Sequence, residues 1–189
     1  MLTPAEAVRR YLAGRGITIT IPPTIRAGTV THIGRFHFPA LVAAVQRPQD
    51  RAIVAVQTTA LRPDGERKAP IAVPRITTGA LGAGAVRLAP AGAILGLAEG
   101  VETGLSAMQI SGVPVWCCLG AKRMHRVAVP SIVREVHVFT DDDATGRKAA
   151  EITAETHTAA GRRVVLRYPP AGCKDWNDAL IAAIREVAA

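Results

Sequence analysis

From residue 93 onward the chain alternates short apolar runs with helical stretches, and two of the apolar runs end directly in acids. AILGLAEG (93–100) is followed by a helical stretch from Glu102 to Ile110 and then by VPVWCCLG (113–120). REVHVFTDDD (134–143) precedes a long helical stretch from Thr145 to Ala160 that Gly161 stops. RRVVLRYPP (162–170) and a last helix in KDWNDALIAAIREVAA close the chain. Apolar runs of this length between helices read as buried strands joined by crossovers. The pattern predicts a parallel sheet with helices on both faces. Residues 121–130 are basic and read as a loop.

The first half follows another rule. Thr3, with Glu6 three places on, forms a capping box for a short helix that runs to Ala13 and ends at Gly14 and Gly16. Residues 17–35 read as extended chain. FPALVAAV (38–45) and AIVAVQTTAL (52–61), separated by the turn-like RPQDR, predict an antiparallel strand pair, with a further turn at PDGE (63–66). Ala69 to Gly84 reads as a Pro- and Gly-rich connection. The change of pattern near residues 89–93 predicts two units: a small α+β region over 1–92 and an α/β unit over 93–189. Aromatics are only 4% of the residues, so aliphatic side chains and alanine must build the cores. No apolar run suits a signal peptide or a membrane span. The three cysteines, two of them adjacent (Cys117, Cys118) and one distant (Cys173), offer no disulfide framework; a cytoplasmic protein is expected.

The formal charge of +8 is uneven. Residues 1–93 hold twelve Lys and Arg against four Asp and Glu, whereas 94–189 hold eleven of each. Polyanion binding by the first half and cation binding by the second is one reading. An Arg-rich solvated face is the other.

In open parallel sheets, functional groups gather beyond the carboxyl ends of the strands. Glu99 and the trio Asp141, Asp142, Asp143 each follow a predicted strand, so two adjacent strand ends would bring them together. Crowded carboxylates repel and raise one another's pKa. A divalent cation relieves that cost, and Mg²⁺ takes one or two carboxylates with waters and phosphate oxygens. Alternation in extended chain puts Asp141 and Asp143 on one side and Asp142 on the other. Gly146 permits a tight turn into the next helix. Arg147 and Lys148 oppose the dipole of that helix, which makes sense if they meet phosphate or the acids. A solvated helix cap is the plainer account of the trio.

AEGVETGLSA, FTDDDATGRKAA and PPAGCKDWNDAL, in that order, resemble the Toprim domain of bacterial primases, topoisomerases and some nucleases. Within it they are most similar to the phage and plasmid primases and primase–helicases. The resemblance covers about the last hundred residues. It implies an α/β fold, a Toprim-like parallel sheet flanked by helices, preceded here by the small α+β region. It implies Glu99, Asp141 and Asp143 as the catalytic acids and as ligands of Mg²⁺ or Mn²⁺, with a further family acid at Glu102. The KDWND string adds Lys174, Asp175, Asn177 and Asp178, of which Asp175 and Asp178 would assist the metal. Asp175 also reads as the cap of the last helix, with Asp178 as its N3 acid. GERKAPIAVPRITTG and GAVRLAPAG are similar to the segment before Toprim in primase-like proteins. They nominate Lys68 and Arg75 for template or nucleotide, and more weakly Arg62, Arg67 and Arg87.

Other residues carry less. Lys122, Arg123 and Arg126 flank His125 in the basic loop, as nucleic-acid contacts or as solvated cations. His32 and His37 lack further ligands at zinc spacing. Cys117, Cys118 and Trp116 read as core, and Trp176 as packing for the last helix or as a base-stacking surface. There is no zinc-ribbon cysteine set and no G-x-x-x-x-G-K-[ST] loop, which argues against ATPase chemistry in this chain. The two tyrosines, Tyr11 and Tyr168, lie in no topoisomerase-like context. A minimal primase, a piece of a larger one and a degenerate descendant all fit. The leading expectation is metal-dependent primer synthesis from nucleoside triphosphates on single-stranded DNA, with a replicative helicase as a candidate partner. A phosphodiester-cleaving Toprim nuclease and a non-catalytic nucleic-acid-binding module are the competing expectations.

Overall fold

The computed structural model describes residues 2–32 and 36–187. The side chain of His32 and residues 33–35 fall outside it, so the histidine pair considered above lies partly outside the described residues. Helix α1 (Pro4–Ala13) opens with the predicted capping box. Thr3 Oγ1 accepts from Glu6 N at 3.3 Å, and Glu6 Oε2 accepts from Thr3 N at 2.7 Å. Its inner face buries Val8, Tyr11 and Leu12.

Four strands follow in an antiparallel sheet ordered as in sequence: β1 (Ile25–His32), β2 (Phe36–Gln46), β3 (Ile53–Ala60) and β4 (Arg75–Gly79). The β2–β3 hairpin is the expected pair. β4 corrects the reading of residues 69–84 as connection only. It is an edge strand of five mostly exposed residues between Pro74 and Gly79, so no apolar alternation marks it. Its pairing with β3 supplies the hydrogen bonds that local sequence does not announce.

The second sheet has the order β5-β7-β6-β8-β9, with β5 (Val86–Arg87), β6 (Ile94–Ala98), β7 (Val115–Cys117), β8 (Glu135–Phe139) and β9 (Arg163–Arg167). β7, β6, β8 and β9 run parallel, and β5 lies antiparallel on the edge beside β7. Helices α2 (Val101–Ser111), α3 (Ala144–Ala159) and α4 (Trp176–Val187) flank it. The basic stretch read as a loop forms a 3-10 helix, Ala121–Arg126. Among the described residues no helix is long and apolar enough to cross a membrane.

Strand alternation divides the core. Leu95, Leu97, Val136 and Val138 pack with Met124 and Ala150, on the side of α3 and the 3-10 helix. Phe139 points the other way, into a cluster with Leu105 of α2 and with Trp176 and Leu180 of α4. Gly104 lets α2 seat on β7, since a Cβ there would stand 2.5 Å from Cys117 Sγ. That second cluster continues into Tyr11, Leu12, Leu41 and Val45 of the first half. Each fully buried aliphatic side chain is worth about 1.5–3 kcal/mol, so the antiparallel sheet and α1 are held on the α2–α4 face by core packing. Even β5, which precedes residue 92, hydrogen-bonds to β7.

Candidate active site

Ala98 and Phe139 are register partners at the ends of β6 and β8, so the chain leaves the sheet at two adjacent points. Glu99 follows the first and Thr140–Asp141 the second. Gly120 N donates to the Glu99 carbonyl at 3.1 Å, which fixes that strand end against the β7 loop. Leu119, beside it, has a left-handed backbone at φ 59°.

Glu99 and Asp141 line one cavity of about 220 Å³ together with Asp175, Glu102 and Asn177. Arg15, Lys68 and Arg75 from the first half complete the wall. The site therefore forms where the two halves meet. Burial pushes Asp141 up to about 6, and the charges of Glu99, Asp175 and Asp143 add to the rise. Its Oδ1 is buried without a hydrogen-bond donor.

Asp143 is engaged otherwise. As N-cap of α3 it accepts from Gly146 N at 2.7 Å, and it lies outside the cavity lining although its charge acts on Asp141. Asp142 pairs with Arg147, whose guanidinium lies 5.2 Å from the Tyr168 ring centroid. Arg147 thus meets an acid, the one that alternation set apart, and Lys148 is exposed. Gly146 is needed for a different reason from the tight turn expected of it. It sits within α3, and a Cβ there would stand 2.4 Å from the Asp141 carbonyl oxygen.

Asp175 Oδ1 accepts from Asn177 N and Asp178 N, both at 2.8 Å, as a helix cap, while the residue also borders the cavity. Asp178 is exposed and accepts from Lys174 N at 3.3 Å; it lies outside the cavity lining. Asn177 is buried and ties three elements together. Its Nδ2 donates to the Arg15 carbonyl at 2.7 Å and to Ser106 Oγ at 3.1 Å, and its Oδ1 accepts from Arg15 Nη1 at 2.9 Å.

Glu102 is the buried anion of the group. Arg75 Nη2 donates to both its oxygens, Tyr11 Oη donates at 2.9 Å, and Lys68 Nζ stands at 3.3 Å. Burial works to raise its pKa, but Arg75 and then Lys68 outweigh that and hold it at about 2. Lys68 and Arg75 thereby reach the acids although they come from the first half. Arg15 is the residue that the sequence reading missed. Placed just after a helix end, it has the look of a solvated cation; Asn177 of α4 and the Tyr11 ring, whose centroid lies 4.8 Å from its guanidinium carbon, hold it inward.

The remaining cations lie elsewhere. Lys122 is exposed on the 3-10 helix. Arg123 donates to the carbonyls of Cys118 and, at 2.8 Å, Gly82, so its guanidinium clasps the two halves together. Arg62 pairs with Asp64 at 3.0 Å, and Arg67 is exposed. Cys117, Cys118 and Trp116 are core, and Trp176 packs edge-on against Phe139 at 5.0 Å.

Among the described residues, no three His, Cys, Asp or Glu side chains stand close enough, as placed, to form a closed ion cage. The donor set nonetheless suits a hard divalent cation: carboxylate oxygens only, one of them buried and unpartnered, around an open cavity. Mg²⁺ commonly keeps several waters at such a site.

Residues 94–186 match the Toprim domain family, and residues 2–88 match a domain of unknown function, DUF7146. No curated protein matches the sequence significantly. Among solved structures the chain is similar to the DnaG catalytic core, with a TM-score of 0.62 and 15% identity over 96% of this chain and 70% of that one. It is also similar to the primase fragment of the bacteriophage T7 primase-helicase protein, at 0.59 and 20%, over 95% and 68% respectively. A third likeness is to the zinc-binding and RNA polymerase domains of the Aquifex aeolicus primase, at 0.55 and 16%, over 85% and 42%. At such identities the likenesses establish a shared fold. The mixed α/β architecture is that of primase catalytic cores, and residues 94–186 of this chain belong to the Toprim family.

Proposed function

We propose that the protein is a primase-like nucleotidyl transferase that makes short primers on single-stranded DNA from nucleoside triphosphates. The carrying observation is the convergence of Glu99, Asp141 and Asp175 with Arg15, Lys68 and Arg75 on one cavity, with Asp141 crowded by other acids. That lining counts three cations against four carboxylates, Glu102 included. One divalent ion tips the balance positive, which favours a triphosphate and a template strand.

Asp141, with Asp175 and Asp143 near it, would hold Mg²⁺ or Mn²⁺. When bound, such an ion would supply Lewis-acid polarisation of a phosphate and would ease ionisation of an attacking 3′ hydroxyl. Glu99, which lines the same cavity, would accept that proton. Arg75 and Lys68, fixed by Glu102, and Arg15, fixed by Asn177, bind phosphate oxygens and align the leaving group. Asp178 acts at one remove, through the backbone of Lys174. DNA replication is the setting this activity implies, with a helicase as a candidate partner.

The test is incubation with single-stranded DNA, NTPs and Mg²⁺ or Mn²⁺. Labelled short products support primer synthesis, fragments of the DNA would indicate a nuclease, and a mobility shift without chemistry would indicate a binding module. Asp141→Asn with Asp143→Asn should abolish chemistry and leave salt-sensitive DNA binding intact. Survival of activity in that double variant would overturn the site.

A further inference from the structure

A second cavity, of about 350 Å³, opens at the opposite end of the Toprim sheet. The acid cavity lies beyond the carboxyl ends of β6 and β8. This one takes in Pro90 ahead of β6 and Ile132 ahead of β8. The length of a strand, about 17 Å for five residues, lies between the two.

Two arginines face it. The Arg87 guanidinium lies over the Trp116 ring, 4.4 Å from the centroid, and its Nη2 donates to the carbonyls of Arg47 at 3.2 Å and Pro48 at 3.4 Å. Its Nε is buried without an acceptor. Arg51 reaches the cavity from a turn in which its own backbone is left-handed, at φ 61°. In that turn the acid, Asp50, is taken by Arg47 at 2.6 Å. Among the described residues, neither Arg51 nor Arg87 has a carboxylate partner, and the lining holds no Asp or Glu. Burial lowers the pKa of Arg87 and the charge of Arg51 lowers it further, so the two guanidiniums bear on each other.

Like charges over an apolar wall cost free energy unless an anion bridges them. The guanidinium fork matches phosphate geometry, and the wall of Leu88, Pro90 and Ile132 offers an apolar face for a base. A cavity of this size fits a mononucleotide. The cationic excess of the first half favours a polynucleotide over a peptide acid.

We propose that Arg51 and Arg87 bind a nucleotide phosphate in this cavity, free or within a single strand, with the base against the Leu88–Pro90 wall. The site is separate from the acid cavity and does not rest on the chemistry assigned there.

Amide hydrogen exchange in EDTA tests it, with thymidine 5′-monophosphate, a short oligothymidylate, and an acidic peptide carrying one phenylalanine. Either nucleotide probe should protect residues 46–52, 86–91 and 129–133, and the probe that saturates at lower concentration identifies the source. Arg51→Ala, at an exposed turn, should weaken that protection about tenfold, the loss of one charge-assisted contact. Arg87→Lys should do the same while the melting temperature shows that the fold is kept. No protection in these segments, protection by the acidic peptide alone, or full protection in Arg51→Ala would each overturn the proposal.

Discussion

Arg75 Nη2 donates to both carboxylate oxygens of Glu102, at 2.6 and 2.8 Å, and so joins the edge strand of the antiparallel sheet to the first turn of α2. The same contact presents Arg75 to the acid cavity. One buried carboxylate thus ties the two halves together and positions two cations.

Glu102 should register in the acid limb of stability. Its carboxyl is at about 2 in the fold, against an ordinary value of 4.5. A lowered carboxyl stabilises the fold above the unfolded value and loses that contribution as pH falls through the folded one. Glu102→Gln should therefore be less stable than wild type near neutral pH. The gap should be roughly 2 kcal/mol, discounted for the partial exposure of Arg75 and Lys68. It should close between about pH 4.5 and pH 2 in urea titrations. A gap independent of pH would mean that packing, not charge, holds the contact.

Asp141 carries the opposite sign. Its carboxyl is raised to about 6 from 3.8, so without divalent ions it disfavours the fold increasingly as pH rises through that window, and fully above it. Asp141→Asn should stabilise the protein in EDTA by about 1–2 kcal/mol at neutral to alkaline pH, half-exposure being allowed for, and by little in acid. Mg²⁺ or Mn²⁺ should raise the melting temperature of wild type and not of the variant. Thermal melts with and without metal read both effects.

Asp143 combines a cap with proximity to the acids, and two substitutions separate these. Asparagine caps as well as aspartate, so Asp143→Asn should keep stability within about 0.5 kcal/mol, whereas Asp143→Ala should lose about 1 kcal/mol. If Asp143→Asn lowers activity at unchanged melting temperature, its charge serves the site.

Gly146→Ala should harm the site more than the fold. The added Cβ meets the Asp141 carbonyl oxygen at 2.4 Å and Thr140 Oγ1 at 2.6 Å, so the strand end must move. A cost of about 1–3 kcal/mol is typical of overpacking, with primer synthesis falling further than stability predicts. Wild-type activity in Gly146→Ala would show that the Asp141 loop tolerates displacement.

The amino-acid order by itself determined much of the second half. Buried parallel strands are short apolar runs between helices, and Glu99 and Asp141 stand where two such runs stop, so their meeting followed from topology. The capping box at Thr3 and Glu6 was equally plain, because it is made within four residues. Long-range pairing was not legible. β4 is exposed and gains its strand character only from β3, and β5 is two residues whose partner, β7, lies some thirty positions later. Whether an acid in DDD faces the cavity or caps α3 depended on where that helix begins, which gave Asp141 one task and Asp143 another. Arg75 was nominated by its place ahead of the acids, but tertiary structure decided where the other arginines go. A cation's sequence neighbours say little about its partner, because long flexible side chains are placed by whatever packs around them. Arg15 faces the acids because Asn177 holds it, and Arg123 is consumed by carbonyls of the opposite half. Arg87, nominated more weakly for template or nucleotide, lies on Trp116, at the far end of the sheet from the acids.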